Sequence, residues 1–93
     1  MMVKVKLVML MVVFTIGGTK YDITKEGILK ALSTLVPEEM TGNRRYYIVF
    51  EGKKYPIKQV IAAVTGLPRV AFTAMDAYRI LTKLGFDVKE LER

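Results

Sequence analysis

The chain has 93 residues, 52% of them apolar, and a formal net charge of +6. That length supports one modest core and a single domain, 1–93, and the apolar share excludes wholesale disorder. With no cysteine and no histidine, disulfides, thiolate chemistry, imidazole bases and His or Cys metal sites fall away together, so a non-catalytic protein with no cofactor is expected.

In chain order, Val3, Val5 and Leu7 alternate with Lys4 and Lys6, the pattern of a half-buried strand. Val8, Val12, Val13 and Phe14 suit its continuation as a central strand covered on both faces. The basic start, the run Leu7–Ile16 and Gly17-Gly18 also outline a short targeting segment. That run is too short for a bilayer, which needs about 20 residues, so no membrane role is expected and a cytoplasmic protein is. Residues 3–16 read best as a strand-like extension, with a surface for a protein partner or a second copy as the alternative.

Gly17-Gly18 suits a tight turn, folding residues 13–22 into a hairpin. Thr24 opens a helix over 24–35, with Ile28, Leu29, Leu32 and Leu35 at helical spacing and Pro37 beyond its end. Gly27 weakens its first turn. Residues 37–43 form a loop by composition. Arg44–Phe50 reads as a strand, Glu51–Lys54 as a turn, and Tyr55 as the start of a short return element. Pro56 suits the first position of a helix carrying Ile57, Val60, Ile61 and Val64, which ends at Gly66. After a connector at Leu67-Pro68-Arg69, Thr73 and Asp76 form a weak capping box. Ala74, Ala77, Tyr78, Leu81 and Leu84 make the buried face of the last helix, Gly85 stops it, and Phe86-Asp87-Val88 reads as a final strand. The result is an α+β domain of approximate order ββαββααβ, with about three helices against a mostly antiparallel sheet.

The charge is concentrated in the middle of the chain. Residues 41–83 hold 8 basic and 2 acidic side chains, an excess equal to that of the whole chain. The basic ones are Arg44, Arg45, Lys53, Lys54, Lys58, Arg69, Arg79 and Lys83. A hairpin basic at both ends, followed by a helix N-terminus with outward-facing Lys58 and Gln59, is a pattern for phosphate binding. Asn43 and Gln59 are candidates for base edges, and Tyr46, Tyr47 and Tyr55 for stacking on exposed bases. The plainer alternatives are Glu38 or Glu39 as partners for Arg44 and Arg45, a solvated turn at Lys53-Lys54, a solvated helix face at Arg79 and Lys83, and sheet packing for the tyrosines. Lys58 alone lacks an obvious structural reason, because a cation in the first helical turn opposes the helix dipole.

Catalytic alternatives are thin. Glu51-Gly52-Lys53 loosely resembles the carboxylate and lysine of a divalent-metal nuclease, but the second carboxylate would have to come from Asp22 or Asp87. Gly17-Gly18 lacks the rest of a phosphate loop.

One stretch resembles a known family. Phe50–Ile61, with Gly-Lys-Lys-Tyr-Pro-Ile-Lys-Gln-Val-Ile inside it, and Leu81–Val88, with Leu-Gly-Phe-Asp-Val at its end, are similar to the small N-terminal modules of McrA-like, modification-dependent restriction endonucleases. The resemblance covers residues 24–89. It implies an α+β recognition unit that contacts DNA, duplex in preference to RNA, without the histidine-rich cutting domain. Tyr55, Pro56 and Lys58 fall on the family's Tyr-Pro-x-Lys pattern, and Gly85 and Phe86 on its ending.

Overall fold

The computed structural model of the chain describes residues 11–42 and 44–91. The expected strand over 3–10 and the candidate base reader Asn43 lie outside the described residues.

The fold is α+β, in the order ββαββααβ. Strands β1 (Met11–Ile16) and β2 (Thr19–Thr24) form an antiparallel hairpin, with Met11 opposite Thr24 and Ile16 opposite Thr19. Gly17 and Gly18 have φ of +58° and +83°, the left-handed pair of a two-residue turn that matches strand twist. The hairpin is longer than residues 13–22. The central-strand reading of β1 is corrected: Met11, Val13 and Thr15 are exposed while Val12, Phe14 and Ile16 are half-buried, the alternation of a strand with one packed face.

β2 runs directly into helix α1 (Lys25–Thr34). Thr24 ends the strand and caps the helix, its Oγ1 accepting the Gly27 N–H at 2.9 Å. Gly27 leaves room for that cap, since a Cβ there would meet Thr24 Oγ1 at 3.0 Å.

The second hairpin pairs β3 (Tyr46–Phe50) with β4 (Lys53–Pro56), and β5 (Lys89–Glu90) pairs with the start of β3, giving the antiparallel order β4-β3-β5. Pro56 is the last residue of β4 and the N-cap of helix α2 (Ile57–Thr65), one place earlier than expected. Gly66 ends α2 with φ +76°. A 3-10 turn (Arg69–Ala71) leads to helix α3 (Ala74–Lys83), where the Thr73–Asp76 capping box has both of its bonds. Gly85 closes α3: its N–H reaches Thr82 O at 3.0 Å and the Phe86 N–H reaches Leu81 O at 3.0 Å. That closure draws Phe86 out of the predicted final strand, which forms instead at Lys89–Glu90. The Leu91 N–H then bonds Arg45 O at 2.7 Å.

α2 is the central element, packed on α1, α3, β2, β3 and β4. Its Ile57, Val60 and Ile61 join Ile28, Leu32, Ile48, Leu81 and Leu84 in the core. Among the described residues no helix is long and apolar enough to cross a membrane.

Candidate functional site

The first turn of α2 organises the charged side of the molecule. Gln59 is expected to face outward but is buried, with 6% exposure. Its Nε2 donates to Val36 O at 2.6 Å and its Oε1 accepts the Glu38 N–H at 2.9 Å. A buried amide with donor and acceptor both used fixes the segment Val36–Glu38 against α2. Gln59 is therefore a structural clamp and its side chain is not available to read a base edge. Tyr55 is corrected in the same way. It is buried, with its hydroxyl facing Leu35 O at 3.4 Å and its ring edge-on to Phe50, so it offers no stacking face. For Tyr55 this is the plainer of its two readings, a core residue.

The clamp places the Glu38 carboxylate between two guanidinium groups. Arg44 donates to Oε1 at 2.9 Å. Arg69 donates through Nη1 to Oε1 at 2.6 Å and through Nη2 to Oε2, a two-pronged pair. The Arg69 hydrogen bond chiefly holds the Glu38 carboxyl below the usual carboxylate range; burial opposes it and Arg44 assists. The same pair raises the Arg69 pKa.

Arg44 and Arg69 line a groove of about 880 Å³, together with Arg45, Lys58, Thr41, Tyr46 and the Ala74-Met75 start of α3. Its lining also includes Pro56 and Ile57, the N-cap and first residue of α2. That helix has no side-chain cap and no acidic residue in its own first turn, so the helix itself supplies no counter-charge to its positive dipole end, which lies at the groove. Lys58 is half-buried there, its Nζ 5.4 Å from the centre of the Phe72 ring.

The eight basic residues of the central segment divide by type. All four arginines are in ion pairs: Arg44 and Arg69 with Glu38, Arg45 with Glu90 at 3.7 Å, and Arg79 with Asp76 at 2.6 Å. None of the four lysines, Lys53, Lys54, Lys58 and Lys83, pairs with a carboxylate among the described residues. Lys54 lies over the Tyr47 ring at 5.0 Å on the exposed face of the β3–β4 hairpin. The groove thus gathers Arg44, Arg45, Lys58 and Arg69, while Lys53, Lys54, Arg79 and Lys83 are not among its lining residues. Sequence reasoning gave Glu38 only as a possible ion partner and missed its shared role; its signal is a carboxylate just after a helix, which acquires partners only through the fold. Among the described residues no group of three or more acidic side chains could hold a metal ion.

Comparison with known proteins adds the family. No curated protein and no solved structure matches the chain. One family model does, described as SCO5918-like and matching residues 12–93, from β1 to the end of the chain. A match of that extent takes in both hairpins, all three helices and the groove, and the chain belongs to the SCO5918-like family.

Proposed function

We propose that this chain is a small non-catalytic DNA-binding domain that takes the phosphodiester backbone into the groove at the start of α2. The observation that carries this reading is Lys58. It is a cation with no carboxylate partner among the described residues, in a helical turn whose dipole disfavours it, beside Arg44 and Arg69. An anion in the groove would resolve that conflict, accepting from the leading α2 amides and from Lys58 together. The preference for duplex DNA, and for a cytoplasmic site of action, belongs to the same proposal and draws on the resemblance to restriction-endonuclease modules.

The test is binding to a labelled random-sequence duplex across a salt series. Lys58→Ala is expected to weaken binding and to lower the slope of log affinity against log salt by about 1. Equal affinity and slope in the variant would reject the groove as the DNA surface. A second reading is a contact with a protein partner or a second copy through residues 3–16. It is favoured by Met11 and Val13, each 52% exposed on the outer face of β1. A defined dimer by light scattering, with no DNA binding at low salt, would select it.

A further inference from the structure

Glu38 occupies the position in which an arginine pair would hold a phosphate. Its carboxylate takes an N–H from Arg44 and one from each terminal nitrogen of Arg69. That two-pronged geometry serves a carboxylate and a phosphate oxygen pair alike. The arrangement is also open: side-chain exposure is 33% for Glu38, 38% for Arg44 and 40% for Arg69. An anion in the groove can therefore reach both guanidinium groups. The backbone of Glu38 is anchored separately, by its N–H to Gln59 Oε1, so its side chain can leave the arginines without releasing the loop.

We propose that the Glu38 carboxylate is an internal competitor for the groove, displaced from Arg44 and Arg69 when a nucleic-acid phosphodiester binds. This inference rests on the DNA-binding reading. In the free protein, two guanidinium groups and one carboxylate present a single net positive charge. With Glu38 swung aside, both arginines turn their donors to the strand, next to Lys58 and the α2 amides. Glu38 then sets how strongly a phosphate must bind before the arginines respond.

The experiment uses the full chain with the labelled random-sequence duplex across salt, and thermal unfolding to check each variant. Glu38→Gln removes the charge at nearly constant size and keeps the backbone bond to Gln59. It is expected to bind about fivefold to tenfold tighter with the slope little changed, because the same phosphate contacts form in both chains and only the cost of displacing Glu38 is removed. Arg69→Ala should cost more affinity in the Glu38→Gln background than in the unchanged chain, because Arg69 is no longer shared. A measurement on the unchanged chain covers a variant that fails to fold: the Glu38 side-chain carboxyl ¹³C resonance should move when duplex is added. If the unchanged chain binds and Lys58→Ala weakens it, but Glu38→Gln binds no tighter or the carboxyl resonance stays fixed, competition is overturned and the DNA reading stands. If neither the unchanged chain nor Glu38→Gln binds at low salt, both fall.

Discussion

Replacing Gln59 by Leu tests the step that builds the charged groove. The side chain is almost fully buried and bridges two backbone groups, the Val36 carbonyl and the Glu38 N–H, at 2.6 and 2.9 Å. Leucine fills a similar volume but makes neither bond. Each lost hydrogen bond costs about 1 kcal/mol, and each backbone group left partly buried adds part of its desolvation cost. New apolar burial by leucine offsets a fraction, leaving a net loss of roughly 2–3 kcal/mol. In a domain of this size, that lowers the thermal midpoint by roughly 10–20 °C. Urea unfolding gives the free energy directly, and Gln59→Glu is the informative companion. A carboxylate still accepts from the Glu38 N–H but faces the Val36 carbonyl with no proton to donate, so it should also destabilise near neutral pH. A loss below about 0.5 kcal/mol in Gln59→Leu would refute the clamp, because solvent would then be satisfying Val36 and Glu38.

Two further outcomes follow from backbone and charge. Glu51 has φ +51° in the β3–β4 turn, a left-handed conformation that Asn adopts more readily. Glu51→Asn should therefore stabilise by roughly 0.5–1 kcal/mol, read as a higher thermal midpoint; an unchanged or lower midpoint counts against turn strain. Glu38 has a folded-state pKa below its ordinary value of 4.5, so its contribution is fully present above that value and disappears as pH falls through the lowered one. The stability difference between the unchanged chain and Glu38→Gln, about 1 kcal/mol at most for partly exposed pairs, should shrink as pH falls below about 4.5. A difference constant from neutral to acid pH would refute the link.

Local signals were readable wherever the chain decides its own geometry. The Gly17-Gly18 turn, the Thr24 cap, the Thr73–Asp76 box and the Gly85 stop each depend on residues within a few positions, and each is present. The final strand was misplaced because two local rules compete there. Alternation favours Phe86 and Val88 in a strand, but the closure after Gly85 uses the Phe86 N–H for Leu81. Gln59 was misread for a different reason. At 100° per residue it lies across the helix from Ile57, Val60 and Ile61, so helical spacing assigns it to solvent. What buries it is the Val36–Glu38 segment, more than 20 residues earlier. No window of one helix contains that information. Tyr55 was assigned two roles, and the packing on Leu35 and Phe50 selects the structural one.

The same distinction governs the candidate site. Counting charge by segment assigns the full excess to residues 41–83, yet Glu38 and Glu90, from outside that segment, are partners of three of its arginines. The lysines keep the unpaired charge, and they are dispersed: Lys53 and Lys54 by the hairpin turn, Lys58 in the groove, and Lys83 in the last turn of α3, where a cation suits the helix dipole. Arginine's planar fork favours fixed, two-pronged pairing, whereas a lysine is a mobile point charge. On the proposed DNA-binding reading, Arg44 and Arg69, paired with Glu38, shape the groove, and Lys58 is the unpaired cation that would attract an anion to it. The salt slope of the unchanged chain separates the resulting geometries. A slope near 1 corresponds to one phosphate, held at Lys58. A slope of about 3 or more requires a strand that also reaches lysines beyond the groove, or arginines released from Glu38. Glu38→Gln distinguishes those two, since it steepens the slope only where Glu38 still holds the arginines.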